Sequence, residues 1–200
     1  MKKIMFNERF GLNRAVLQGE KTNTRRNGHK VYLDYERGRS LGDYPTLTLE
    51  EYAMQKSPFK VGEIISVAQS YKALGYDPMF CPPGHEEGLG SEMGWSNKMY
   101  VSADLCKHHI RIDAVKFERL QEITDEEILK EGIMEYYPYI DRNPEDKLKT
   151  YRFRDKKSKY GYYQLHPARD CFAELIDRIS GKGTWEANRY VYAYSFTLID

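Results

Sequence analysis

The segment Gly19-Glu20-Lys21-Thr22-Asn23-Thr24-Arg25-Arg26 connects a short helix to a strand, and the prediction of the fold starts from it. Upstream, apolar residues recur at near-helical spacing over Glu8–Gln18, which predicts a helix. Gly19 then stands where a left-handed C-cap is usual. The β-branched threonines that follow favour extended backbone, so we expect the chain to enter a strand near Lys21.

Further strands and helices are predicted on both sides of this segment. Runs of β-branched and aromatic residues predict four more strands, at Ile64–Tyr71, Met99–Ala103, His109–Leu120 and Tyr190–Ile199. In the third of these, the alternation slips after Ala114, which indicates a bulge. Thr124 and Glu127 have the spacing of a capping box at the start of a helix, and another helix is predicted over Pro167–Ser180. These interleaved elements contain no βαβ unit with a phosphate loop, so we predict an α+β fold built on a β-barrel.

Three polar stretches separate these elements, at residues 27–57, 75–94 and 134–166. Residues 27–57 lack sustained periodicity and contain one predicted helical turn near Thr48–Tyr52. Residues 75–94 are rich in Gly and Pro, which predicts a loop, and residues 134–166 are dense in tyrosine and basic residues. We interpret all three as long insertions. Two hundred residues suffice for one core that carries such insertions. We therefore predict a single domain over residues 1–200.

The composition excludes several classes of protein. Hydrophobic residues make up 40% of the chain and its mean hydropathy is −0.73. No apolar run approaches the roughly 20 residues of a membrane helix, and charges interrupt the N-terminal segment before a signal-peptide core could form. Three widely spaced cysteines argue against a disulfide framework, so we expect a cytoplasmic protein without membrane contact. With a net charge of +1, binding of nucleic acid would require a local basic patch.

Histidine and cysteine residues do not form a recognisable metal-binding motif. Cys81 and His85 have a spacing that matches no zinc signature. His108 and His109 are adjacent, and neighbouring side chains of a strand point to opposite faces. We therefore expect no metal and no cofactor.

Three segments, in this order, resemble motifs of the ASCH family. Gly19–Arg26 matches the G-x-K-T-x-T-x-R signature that follows the family's first helix. Phe59–Ile65 matches its x-V-G-D-hydrophobic entry to a strand, and Leu120–Gly132 matches L-x-x-I-T-E-E-D-A-x-x-E-G. Gly183–Asn188 is similar to the G-x-W-x-A-N motif of the longer bacterial and phage members. The matching segments are distributed over nearly the whole length of the chain, and the three insertions lie outside them.

This resemblance implies a PUA-like β-barrel with a cleft between the Lys-Thr segment and the Glu-Gly helix. Members of the family are mostly regarded as RNA-binding proteins. Its compact bacterial members are 4-acetylcytidine amidohydrolases, whose catalytic lysine, threonine and glutamate correspond to Lys21, Thr24 and Glu131 here. The chain departs from the family twice, because Ser66–Gln69 replaces a W-V-R-E strand and Arg189-Tyr190 replaces Pro-Trp.

Hydrolysis of an amide needs a nucleophile, a base that activates it and a proton donor for the leaving amine. In this hypothesis Lys21 activates Thr24, Thr24 attacks and Glu131 transfers the proton. A lysine serves as a base only if burial or nearby cations lower its pKa from about 10.4. The alternative is binding without turnover, in which Lys21 and Arg26 neutralise a phosphate and Thr24 donates a hydrogen bond.

The chain contains one strongly basic stretch, Lys147–Tyr163, with seven Lys or Arg residues, a single acid and interleaved aromatic residues. Such a composition is typical of surfaces that hold phosphates and stack bases, and also of solvated hairpins. Together with the first segment, it provides the predicted nucleic-acid or ligand contacts, which are Thr22, Arg25, Arg26, Lys147, Arg152, Arg154, Lys156 and Lys157.

Three hypotheses for function follow from these patterns. The first is an RNA- or nucleoside-binding ASCH protein that deacylates a modified cytidine as an amidohydrolase. The second is an RNA-binding module without catalysis. The third is an accessory protein of a phage or mobile element that binds a protein partner.

Overall fold

The computed structural model describes residues 1–44, 46–77, 79, 93–137 and 149–200. In these residues the fold is mixed α+β, as the sequence predicts. The strands are β1 (Lys3–Ile4), β2 (Asn23–Asn27), β3 (Ile64–Val67), β4 (His109–Arg119), β5 (Met134–Tyr136), β6 (Thr150–Arg154), β7 (Tyr162–Leu165) and β8 (Tyr190–Leu198). The helices are α1 (Leu12–Leu17), α2 (His29–Leu41), α3 (Leu49–Lys56), α4 (Tyr71–Leu74), α5 (Asp125–Lys130) and α6 (Ala168–Ser180).

The larger sheet has five strands in the order β1-β3-β4-β8-β2. β1 pairs with β3 in parallel, and the other neighbours are antiparallel. The register of the long β4–β8 ladder shifts between Ile112 and Ala114, which places a bulge next to the predicted position. β2 lies at the edge of the sheet and pairs only with β8 among the described strands, so one side of β2 is available to build a site.

The described part of the predicted insertion at residues 134–166 has regular secondary structure. This part forms a three-stranded antiparallel sheet in the order β5-β6-β7. Phe153 of β6 is fully buried and packs edge-on against Phe10, with ring centroids 5.8 Å apart. The segment is therefore part of the main core, and the alternating tyrosines and arginines of the strands conceal it from a search for apolar periodicity.

Residues 27–57 also contain more structure than the predicted helical turn. They form α2 and α3, and α3 begins with a capping box between Thr48 and Glu51. Tyr35 and Tyr52 are buried, their rings are 5.6 Å apart, and the Tyr35 hydroxyl donates to the Leu47 carbonyl at 2.8 Å. The buried faces of these helices are thus made of tyrosine, which has an apolar ring and a polar end.

Two predicted strands differ from the structure. Residues 99–103 lie in two 3-10 turns, Lys98–Tyr100 and Ala103–Leu105, rather than in a strand. β3 ends at Val67, and Ser70 then caps α4 by accepting a hydrogen bond from the Ala73 amide, so Tyr71 is helical. Most of the predicted insertion at 75–94 lies outside the described residues.

The remaining predicted elements are confirmed. α1 is shorter than predicted, α5 begins with the expected capping box at Thr124, and α6 and β8 fall where the sequence places them. α6 buries Cys171, Phe172 and Leu175 in a core shared with α1, α5 and both sheets. None of the described helices has the length and apolar character needed to cross a bilayer.

Candidate functional site

Two backbone hydrogen bonds of Thr22 fix the start of β2, one to the end of α5 and one to β8. The Thr22 amide donates to the Lys130 carbonyl at 3.0 Å, and the Thr22 carbonyl accepts from the Phe196 amide at 2.8 Å. The first contact fixes residues 21 and 131 side by side, and the second anchors the segment to β8. Thr22, a predicted ligand contact, thus contributes its backbone to the architecture of the site.

Lys21 and Glu131 form a buried ion pair. Lys21 Nζ lies 2.6 Å from Glu131 Oε2 and 2.8 Å from the Glu131 carbonyl oxygen. Their side chains are only 1% and 5% exposed. Burial lowers the pKa of Lys21 from 10.5, although the charge of Glu131 opposes the shift. The two residues that the resemblance identifies as base and proton carrier are therefore in direct contact.

Arg25 completes this charge network beneath the pair. Its Nη1 donates to Glu131 Oε1 at 3.0 Å, and its Nη2 donates to Glu118 and Glu127, each at 2.7 Å. The Arg25 side chain is 2% exposed. A guanidinium fork that holds three carboxylates is well suited to orient Glu131. Arg25, predicted to contact a ligand, is engaged by protein carboxylates in this structure.

A cleft of about 570 Å³ lies over the ion pair. Lys21, Thr24 and Glu131 all line it, so the three residues of the predicted catalytic set share one cavity. Thr24 is buried in β2, and its hydroxyl forms no hydrogen bond to another described residue. A hydroxyl without a protein partner is free to interact with a ligand in the cleft.

The sequence analysis missed two cations of the cleft wall. Arg9 and Lys98 line the cavity, and Phe6 packs below them with Lys21 Nζ 5.9 Å from its ring centroid. Met5–Arg9 precedes α1, although the apolar pattern had assigned Glu8 and Arg9 to a helix. No local motif marks Lys98, since it enters the site from a distant 3-10 turn.

Asp155 holds Arg9 in place at the edge of the cleft. Arg9 Nε and Nη2 donate to the two carboxylate oxygens of Asp155 at 3.0 and 3.1 Å, and Arg178 Nη1 donates to one of them at 2.9 Å. Hydrogen bonding from Arg9 keeps the pKa of Asp155 below 3.8, although burial acts in the opposite direction. The single acid of the basic stretch is therefore a structural anchor.

The basic stretch is divided between packing and a second cleft. Arg152 lies between Tyr136 and Tyr162, with its guanidinium carbon 4.0 and 4.3 Å from the ring centroids. Arg154 and Lys156 instead line a second cleft of about 600 Å³. Lys157 is exposed in the turn after β6, and the predicted contact Lys147 lies outside the described residues.

Two segments singled out in the sequence, Ser66–Gln69 and Gly183–Asn188, have structural roles here. Ala68 is fully buried, and the buried Gln69 accepts a hydrogen bond from the Lys107 amide at 2.8 Å. Where the family has an arginine and a carboxylate, this chain therefore has packing and a loop anchor. Asn188 accepts from the Gln121 amide at 2.9 Å and connects the C-terminal motif to the start of the α5 segment.

Comparisons with protein-family models, curated proteins and solved structures returned no match. Among the described residues, no group of three or more His, Cys, Asp or Glu side chains is arranged to hold a metal ion. The chemistry of the site therefore has to come from the side chains that line the cleft.

Proposed function

We propose that this chain is an ASCH-type protein with a PUA-like barrel, and that its cleft hydrolyses the amide of an N4-acylated cytidine. The observation that carries the proposal is the buried Lys21–Glu131 pair at the floor of a cleft that Thr24 also lines. A nucleophile, a base with a lowered pKa and a carboxylate in contact with that base are the groups that amide hydrolysis requires.

In the proposed reaction, neutral Lys21 takes the proton of the Thr24 hydroxyl as its oxygen attacks the acyl carbon. The C–N bond then breaks, the acyl group remains on Thr24 as an ester, and the leaving amine of cytidine takes up a proton. Water hydrolyses the ester, which releases the carboxylic acid and restores Thr24. Glu131 lies 2.6 Å from Lys21 Nζ and can exchange the proton with it at each stage.

The surrounding residues support these roles. Arg25 holds Glu131 Oε1, which leaves Oε2 directed at Lys21. Gly132 lies behind the pair with φ of +96° and lets the chain turn away from it. Cys106 and Cys171 are buried free thiols, in keeping with a cytoplasmic site of action.

Release of acetate from 4-acetylcytidine by the purified protein is the direct test. We expect turnover in the wild type, its loss in Lys21→Ala and Thr24→Val, and partial retention in Thr24→Ser, which keeps the hydroxyl. Lys30→Gln is a matched control, because Lys30 is an exposed residue of α2 that does not line the cleft. Absence of turnover by the folded wild type would refute the amidohydrolase proposal for this substrate.

A second candidate is RNA binding without catalysis. The observation that favours it is the second cleft, which is lined by Arg14, Arg154, Lys156 and Tyr162, and Glu8 lines both cavities. Cations around an aromatic ring suit a nucleotide chain that runs from one cleft to the other. RNA affinity that falls steeply with salt would support it, and no binding at low salt would exclude it.

A further inference from the structure

Arg26 is a cation of the cleft wall that forms no ion pair with the described residues. It donates one hydrogen bond, from Nη2 to the Met5 carbonyl at 2.6 Å, and its buried Nε has no hydrogen-bond partner in the described chain. A guanidinium carries five N–H donors, and removing its charge from water without a counter-ion is costly. An anion in the cleft would supply the acceptors that the protein does not provide.

Lys98 adds a second positive charge to this wall. Its Nζ donates to the Phe6 carbonyl and lies 3.2 Å from Glu8 Oε1. Burial lowers the pKa of Lys98, and the positive fields of Arg26 and Lys156 lower it further against the effect of Glu8. The positive fields of Arg26 and Lys156 therefore reach Lys98, whose carboxylate neighbour is Glu8, while Arg26 feels the charge of Glu131 without forming an ion pair with it.

We propose that Arg26 and Lys98 form a phosphate subsite, so that the ligand of this cleft is a phosphorylated nucleoside. This inference rests on the proposed function, because it assumes that the nucleoside occupies the floor of the same cleft. Arginine binds phosphate oxygens through its planar donor fork, and lysine contributes a mobile point charge. A neutral nucleoside has no group that would compensate the charge of Arg26.

Phosphate on ribose has two sources, a free nucleotide or an RNA chain, and calorimetric titration distinguishes them. The probes are cytidine, cytidine 5′-monophosphate, inorganic phosphate and a short cytidine-containing RNA. We expect the monophosphate to bind about tenfold more tightly than cytidine, as charge-assisted hydrogen bonds allow. Arg26→Gln and Lys98→Gln should each bring this ratio toward one. Arg37→Gln and Lys30→Gln, which alter exposed residues of α2, should leave it unchanged.

The outcomes separate this inference from the function on which it rests. Cytidine that binds as tightly as both its monophosphate and the RNA would overturn the subsite and leave the proposed function intact. Phosphate binding that both variants abolish, without any binding of cytidine, would retain the subsite and refute the nucleoside assignment. Tight binding of RNA alone, reduced by both variants, would identify a phosphodiester as the source. Circular dichroism checks folding, and the partly exposed Lys98 keeps the test valid if Arg26→Gln does not fold.

Discussion

Lys21 Nζ lies 2.6 Å from Glu131 Oε2, although 110 residues separate the two in the sequence. Both side chains are almost fully removed from water. A backbone hydrogen bond from the Thr22 amide to the Lys130 carbonyl holds the two segments side by side. The pair serves both stability and chemistry, and the two contributions can be separated by experiment.

Removal of one partner of this pair should be more harmful than removal of both. Glu131→Gln leaves the Lys21 ammonium buried without its counter-ion, so we expect the free energy of unfolding to fall by about 3 kcal/mol. In the double variant Lys21→Met with Glu131→Leu, no charge of the pair is left unpaired, and the loss should be smaller than that of the Glu131→Gln variant and smaller than the sum of the single losses. Urea denaturation measures all of these values, and strictly additive losses would show that the pair is not coupled.

The pH dependence of turnover should reflect Lys21. Because burial lowers the pKa of Lys21, its neutral form becomes populated below pH 10.5, the ordinary value for lysine. The kcat/KM for 4-acetylcytidine should therefore rise with pH and reach half of its plateau value below pH 10.5. Lys21→Arg, which keeps the charge and cannot act as a base, should abolish turnover. A profile that falls with pH over this range would contradict the assigned role.

Gly132 should tolerate no side chain. Its φ of +96° is rarely adopted by other residues, and a Cβ there would lie 3.2 Å from Leu12 Cδ2 and 3.7 Å from Lys21 Cδ. We expect Gly132→Ala to lower the free energy of unfolding by about 1 kcal/mol or more and to displace the Lys21 side chain. Gly19→Ala is a matched control, because it has a φ of +72° but no atom within 4 Å of its Cβ position. A larger loss of activity in the control would argue against this explanation.

Asp155 should make stability depend on pH in the acid range. Its pKa is below 3.8 in the folded protein because Arg9 hydrogen-bonds to it, so the unfolded chain binds more protons as the pH falls through this range. The stabilisation is fully present well above pH 3.8 and is lost as the pH falls through the folded pKa. The difference in urea midpoint between wild type and Asp155→Asn should thus be large at pH 6 and shrink toward pH 3. Asp34→Asn, at an exposed position of α2, should show little difference at either pH.

Arg152 and Arg154 should differ in their effects on RNA affinity. Arg152 is held between two tyrosine rings, so Arg152→Gln should lower the melting temperature and change RNA affinity little. Arg154 lines the second cleft, so Arg154→Gln should weaken RNA binding and reduce the slope of its salt dependence. Filter binding at several salt concentrations measures the RNA affinity of both variants. Equal losses of affinity would contradict the separate roles assigned to Arg152 and Arg154.

Local patterns were sufficient to predict a large part of the fold. The Thr124–Glu127 capping box, α6, β8 and the bulge in β4 follow from interactions within a few residues or from simple alternation. The start of α3 falls at the predicted helical turn near Thr48–Tyr52. α2, the full length of α3 and the sheet of β5, β6 and β7 could not be found in this way. Their buried faces rely on tyrosine and on arginine stems, which a scale of hydrophobicity counts as polar.

The candidate site shows the same division between local and tertiary information. By itself, the sequence determined which residue types the motifs carry, since Lys21, Thr24 and Glu131 follow from short stretches that resemble a known family. Tertiary structure decided which charges are free, because pairing depends on contacts between distant segments. It assigned Arg25 to three carboxylates, left Arg26 without an ion pair to any described residue and brought Lys98 to the cleft. The energy of a charge depends on its burial and on the distance to its counter-ion, and only the folded chain sets these two quantities.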